Sequence, residues 1–176
     1  MTGHEAQVKE RADELRQAFD QSFALAPKTE TDTASVENLL AVRAGSQPYV
    51  LRLADVSGLF VDKKITWLPS PVSELLGIAG FRGAVLPVYD LGMLLGAPKA
   101  APPRWLVVIA AAPIGLAFEC FDGQLTVPRA SIVPDARAEA LKRHVREILQ
   151  TEVARPIIDL PSVLETVRNL GHRGQS

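Results

Sequence analysis

From Asn38 onward the apolar positions fall in short runs broken by glycine, proline and small polar residues, the spacing of a small barrel. Leu39 to Arg43 leads into the turn Ala44-Gly45-Ser46-Gln47, and Tyr49 to Leu53 returns as the second arm of a hairpin. Ala54 to Phe60 starts as a helical turn and ends as strand, and Asp62 to Pro69 reads as a further strand closed by a proline-marked loop. Ser73 to Leu76 fits one helical turn. Trp105 to Ile109 and Ile114 to Phe118 are nearly continuous apolar runs, as strands buried on both faces are. Asp122-Gly123 is a turn signal. Leu125 to Val127 and Ser131 to Val133 are short strands, and Arg155 to Asp159 is the last one.

Helical spacing occurs at the two ends. Over 5–25, Val8, Ala12, Leu15, Phe19 and Phe23 recur at steps of three and four, opposite Lys9, Glu10, Asp13, Arg16 and Asp20. That stripe packs on its own domain or serves as a docking helix; both readings stay open. Pro27 to Ser35 is a polar linker. The composition of 135–150 favours a short helix at 136–143, with a strand after it. At the C-terminus Asp159 can cap a helix with Pro161 in its first turn. Leu160, Val163, Leu164, Val167 and Leu170 form its apolar face, and Gly171 is its expected stop. The organisation expected is therefore an arm and linker over 1–35, a folded domain over 36–171 and a tail over 172–176.

The centre of the chain is Leu75 to Gly96. Its hinge, Gly80-Phe81-Arg82-Gly83, has glycines that admit backbone angles other residues avoid, and it carries Arg82 out on a turn. Ala84 to Leu91 then suits a pleated strand. Pro87 cannot donate to a ladder, which predicts an edge strand or a bulge. A helical turn over Leu91 to Leu95 should stop at Gly96-Ala97-Pro98.

Composition narrows the classes. The chain has 176 residues, 47% hydrophobic and 22% charged, enough for one globular domain with a core. A net charge of −1 favours neither nucleic acid nor an anionic membrane as partner. Cys120 is the single cysteine, so no intrachain disulfide can form. The charged first residues are no signal peptide and no apolar run is long enough to span a bilayer, so a cytoplasmic location is expected, without membrane insertion.

The central stretch resembles the CheW family, the coupling proteins of bacterial chemotaxis. Members carry Gly, apolar, any, Asn, apolar, Arg-Gly, two apolar residues, Pro, apolar, any, Asp-Leu. Here the pattern stands as Gly77-Ile78-Ala79-Gly80-Phe81-Arg82-Gly83-Ala84-Val85-Leu86-Pro87-Val88-Tyr89-Asp90-Leu91, with Gly80 in the place of the usual Asn. The resemblance covers 38 to about 170. It implies a mainly β fold of two intertwined five-stranded SH3-like barrels, here with an N-terminal amphipathic helix and a C-terminal helix. It also implies a loop over the first part of 135–150 and a strand near Val145 to Glu152.

The resemblance further implies a non-catalytic adaptor that joins the cytoplasmic tip of chemoreceptors to the regulatory domain of a CheA-type histidine kinase. In the family, receptor contact involves the groove between the barrels, the hinge Arg and a Val-x-Glu-Ile-like segment. Aligned from the hinge, that segment falls on Val56-Ser57-Gly58-Leu59, with Gly58 where the acid would be. The partner-binding residues expected are Val56, Leu59, Gly77, Phe81, Arg82 and Gly83. Gly77 and Gly83 are structural first, with close approach of a partner as a second role. For Arg82 two readings are open: an interface residue, or a turn-stiffener bonded to a group such as Asp90. Phe60, Trp67 and Phe121 read as core, and Phe81 as part of the hinge surface.

No catalytic set stands beside these. His4 and His172 have no residue near them at metal-ligand spacing, and His144 with Glu147 reads as a solvated helix or strand face. There is no nucleophile elbow, P-loop or dinucleotide fingerprint. Neither metal nor cofactor is expected. Asp90 with Glu119 or Asp122 could still meet in space. The rival class is a small hydrolase or ligand-binding barrel on the same fold. A chemotaxis coupler and a paralogue serving another receptor–kinase pathway are both compatible with the residues, and the oligomeric state is undetermined.

Overall fold

The computed structural model describes residues 35–99, 101–135 and 143–173. The helix expected over 5–25, the linker up to 34 and the expected helix over 136–143, apart from Arg143, lie outside the described residues. Among the described residues there are two sheets. The first contains β1 (Val36–Ala44), β2 (Gln47–Arg52), β8 (Cys120–Pro128), β9 (Ile132–Pro134), β10 (Val145–Leu149) and β11 (Arg155–Ile158), in the order β8-β1-β2-β11-β10-β9. The second contains β3 (Val56–Val61), β4 (Leu75–Phe81), β5 (Ala84–Asp90), β6 (Trp105–Ile109) and β7 (Gly115–Phe118), in the order β3-β6-β7-β5-β4. Both ends of the described chain thus build one sheet and its middle builds the other. The two are intertwined by connectivity. Helix α1 (Leu91–Leu94) follows β5, and α2 (Leu160–Arg173) follows β11.

Each sheet curls. β3 and β4 are opposite edges of the second sheet, yet the rings of Phe60 and Phe81 meet edge to face with centroids 5.6 Å apart. The edges β8 and β9 of the first sheet are joined by a single 3-10 turn, Arg129–Ser131. The second barrel has the five strands expected; the first has six because the short β9 adds to β10 through Ile132 to Pro134.

The alternation of side chains explains the continuous apolar runs. Along β1, Leu39 and Ala41 enter the first barrel's interior with Val50, Leu149 and Ile157. Leu40 and Val42 point the other way, into a core shared by both sheets. β6 divides alike: Leu106 and Val108 fill the second barrel, and Val107 and Ile109 face the shared core. Successive side chains point to opposite faces, so a strand covered on both sides must be apolar at every position. Helix α2 lays Leu160, Val163, Leu164 and Val167 into the shared core, all buried, with Leu170 packed beside them.

Several local expectations change. Helix α2 runs through Gly171 to Arg173; Gly171 takes no left-handed angle, and a glycine inside a helix weakens it without ending it. Asp122-Gly123 is not a turn but a bulge within β8, where Ala41 faces Gly123 and Val42 faces Phe121. Asp62 to Pro69 forms no strand beyond a single bridge at Thr66. Ser73-Glu74 is a turn, closed by the Leu75 amide on the Val72 carbonyl, and β4 begins at once. β5 is an interior strand rather than an edge. Pro87 is accommodated because β7 starts pairing only at Val88, so no ladder donor is missing at Pro87.

Candidate partner-binding site

The hairpin β4–β5 is closed by two residues, Arg82 (φ 47°) and Gly83 (φ 80°). Two positive φ angles define the turn whose twist matches a two-residue hairpin. The hinge glycine that matters is therefore Gly83. Gly80 lies inside β4 opposite Val85, with no left-handed angle, so the glycine in place of Asn takes no part in the turn itself.

Arg82 is exposed at the hairpin tip, its guanidinium carbon 4.9 Å from the centroid of Phe81. It makes no ion pair among the described residues. Asp90 is not its partner: that carboxylate is nearly buried and accepts the Met93 amide at 3.0 Å, capping α1. The turn-stiffening reading through Asp90 is thereby corrected. Phe81 is half-buried, packed on Phe60 and against the second barrel's interior.

Val56 and Leu59 are half-buried on β3 and pack against the shared core. A bulge between Val56 and Gly58 puts them on one side although they are three apart. Ser57 donates to the Val108 carbonyl at 3.1 Å. A Cβ on Gly58 would come within 2.8 Å of the Phe60 ring and 3.1 Å of the Phe81 ring, so an acid at this place would have to displace that pair. Ser57, Phe81, Arg82, Ala84 and the turn Ala110–Pro113 line one open cleft of about 310 Å³. The hairpin tip and the start of β3 thus share a surface, while Val56 and Leu59 turn toward the core between the sheets.

Gly77 does not belong to that surface. Its Cβ would lie 2.1 Å from the Thr66 carbonyl oxygen, so the chain's own Thr66-Trp67 backbone occupies the close approach. Trp67 is not core either: it is 70% exposed. The carboxylates Asp90, Glu119 and Asp122 are engaged separately. Glu119 accepts the Gly45 amide, and Asp122 holds Arg43 and Arg155. His144 and Glu147 do not share a solvated face. His144 is half-buried with Nδ1 2.8 Å from the Ser162 hydroxyl, and burial, with Arg143 nearby, lowers its pKa against a weaker pull from Asp159. Glu147 pairs with Arg52, which also holds Glu37. At the end of β3 a hydrogen bond from Arg104 holds the Asp62 carboxyl below the usual carboxylate range. Among the described residues no three His, Cys, Asp or Glu side chains gather at metal-binding distance, and no helix is long and apolar enough to cross a membrane.

What sequence reasoning missed is the outer edge of β4, where Trp67, Gly80 and Val85 are exposed. The signal available was Trp67 itself, between two breaks in the strand pattern.

The CheW-like domain family matches residues 38–168. Among curated relatives, a probable chemotaxis protein CheW of Rhizobium etli is 30% identical over 117 residues, 63% of this chain and 76% of that protein. A chemotaxis protein CheW of Rhizobium meliloti is 28% identical over 120 residues, covering 65% and 77%. Among solved structures, the scaffolding protein TtCheW from Thermoanaerobacter tengcongensis superposes with a TM-score of 0.62 at 22% identity, over 69% of this chain and 88% of that one; this likeness concerns the fold.

Proposed function

This chain belongs to the CheW-like domain family, and from that premise we propose that it is a non-catalytic adaptor coupling chemoreceptors to a CheA-type histidine kinase. The observation that carries the reading is the match over 38–168, which includes the whole hairpin that displays Arg82. Two intertwined barrels with one shared core make a stiff body with several separate faces. Such a body can hold two partners at a fixed spacing, and a signal can pass through how they are held. We assign receptor contact to the cleft at the hairpin tip, with Arg82 and Phe81 on its rim and Gly83 setting the turn, while Val56 and Leu59 anchor β3 to the shared core. A guanidinium beside a ring at an exposed tip suits an interface anchor, because arginine and aromatic residues are enriched among hot spots. The missing acid at Gly58 alters which receptor cation can be paired there, not the turn that presents Arg82. A cytoplasmic place of action and the absence of enzymatic turnover belong to the same reading.

The test is a sedimentation assay with three purified components: this chain, a receptor cytoplasmic fragment and the kinase regulatory domain. The proposal predicts that the kinase domain sediments with the receptor fragment only when this chain is present. Co-sedimentation independent of the chain, or failure of the chain to bind either component, contradicts it. A hydrolase or ligand-binding role would instead be favoured by turnover in an esterase, phosphatase and nucleotidase screen that disappears on changing one polar residue.

A further inference from the structure

β4 is an edge strand, and part of that edge is open. The Ile78 amide and carbonyl point away from β5, where they exchange hydrogen bonds of 2.9 and 2.8 Å with Thr66. Strand alternation makes the Gly80 amide and carbonyl point the same way. Were the Thr66–Ile78 pairing continued, Lys64 would stand opposite Gly80; instead the chain leaves β4 before that register. Lys63, Lys64, Thr66, Gly80 and Val85 line a cleft of about 330 Å³ at this place. Among the described residues Gly80 makes no hydrogen bond outside the β4–β5 ladder. The apolar side chains at this edge are wet: Trp67 is 70% and Val85 67% exposed.

The charge here is positive. Lys63 and Lys64 line the cleft, and Arg82 is exposed two residues beyond Gly80. Asp62, the acid of the same segment, is already held by two hydrogen bonds from Arg104, at 3.0 and 2.8 Å. An exposed strand edge with unpaired backbone groups is a template for another extended segment. A second copy of this chain would bring the same cations together, which opposes self-pairing.

We propose that the open edge of β4 at Gly80 takes an extended, acidic segment of a partner protein. The segment exchanges backbone hydrogen bonds with Gly80, sets an apolar side chain against Val85, and places carboxylates by Lys63 and Lys64. This contact is separate from the hairpin-tip cleft.

The probe is a short peptide alternating glutamate and valine, blocked at both ends, compared with its lysine–valine counterpart on the full chain. Amide resonances of the isotope-labelled protein locate the binding, and titration gives the affinity. The acidic peptide should bind about tenfold or more tighter than the basic one, lose that advantage as salt is raised, and slow hydrogen exchange at the Gly80 amide. Gly80→Pro removes the outward donor at an edge position, where proline is tolerated, and should abolish binding in a protein that unfolds as before. The double change Lys63→Glu with Lys64→Glu should reverse the preference between the peptides, and it decides the matter if Gly80→Pro does not fold. Equal affinities, binding that survives Gly80→Pro, or resonance shifts confined to other surfaces overturn the proposal. So does an edge that answers only to a second copy or to anionic vesicles. The probe contains neither receptor nor kinase, so its failure is distinct from failure of the adaptor reading.

Discussion

Gly77→Ala tests how the hairpin is anchored. The new Cβ would meet the Thr66 carbonyl oxygen at 2.1 Å, its carbon at 2.8 Å and the Trp67 Cα at 2.9 Å. All three are backbone atoms, so no rotamer change relieves the contact. Gly77 also has φ 146°, outside the range that side-chain-bearing residues favour. Holding alanine there costs about 1–3 kcal/mol. Relief of the clash also requires the Thr66-Trp67 backbone to withdraw, and both hydrogen bonds of the Thr66–Ile78 bridge are then lost, at about 1 kcal/mol each. The two costs together give about 3–5 kcal/mol, a large share of the roughly 5–15 kcal/mol that holds a domain folded. Gly80→Ala, in the same strand, is the control. Its Cβ would meet nothing within 4 Å and its φ is ordinary, so the change should be neutral or stabilising by up to about 1 kcal/mol. Denaturant unfolding of both variants is the assay, with hydrogen exchange at the Ile78 amide as the local readout. Should Gly77→Ala unfold within about 1 kcal/mol of Gly80→Ala, the close approach at Thr66 is not what fixes β4.

Three further outcomes are expected. Burial lowers the His144 pKa below its ordinary 6.5, so the unfolded chain binds that proton more readily; the stability it contributes is complete above pH 6.5 and falls as pH drops toward the lower native value. Thermal unfolding across that window should show a decline that is shallower in His144→Gln. Asp90→Ala removes the cap on Met93 from a nearly buried site and should cost about 1–2 kcal/mol in denaturant unfolding, with Asp90→Asn recovering most of it. Deleting residues 1–34 should leave a cooperative thermal transition, because β1 and the Ser35 carbonyl's bond to Arg129 remain in place.

The parts of the fold that were legible are those with a local physical cause. The Leu75–Gly96 unit was readable because a two-residue turn, β-branched arms and a capped helical turn each leave a mark within a few residues. Continuous runs such as Trp105 to Ile109 announced strands covered on both faces. The strand expected near Val145 to Glu152 is present as β10 and starts where expected, but it ends earlier, at Leu149. The errors came from residues whose role is settled by distant partners. Gly80 looked like a hinge glycine, but the turn belongs to Arg82-Gly83, and nothing near Gly80 says which. Gly77 looked available to a partner, but Thr66, eleven positions away by number, covers it. Asp122-Gly123 has turn chemistry, yet β1 pulls the segment straight and absorbs the extra residue as a bulge. Arg82 and Asp90 face different tasks because the helix that follows β5 claims the carboxylate first. For the candidate site, the motif gave the residues, and only the geometry separated those at the tip from those beneath it.

The central claim is that Arg82 at the hairpin tip meets the receptor. It is exposed, its guanidinium lies over the Phe81 ring, and it makes no ion pair among the described residues. Arg82→Ala should therefore change stability by no more than about 1 kcal/mol. Loss of an interface hot spot costs roughly 2 kcal/mol or more, which is about a thirtyfold fall in affinity. Titration calorimetry of wild type and Arg82→Ala against the receptor tip and against the kinase regulatory domain, separately, is the measurement. The account predicts a fall of about that size for the receptor tip, partial recovery in Arg82→Lys, and unchanged unfolding. An unchanged receptor affinity in a variant that still folds would contradict it.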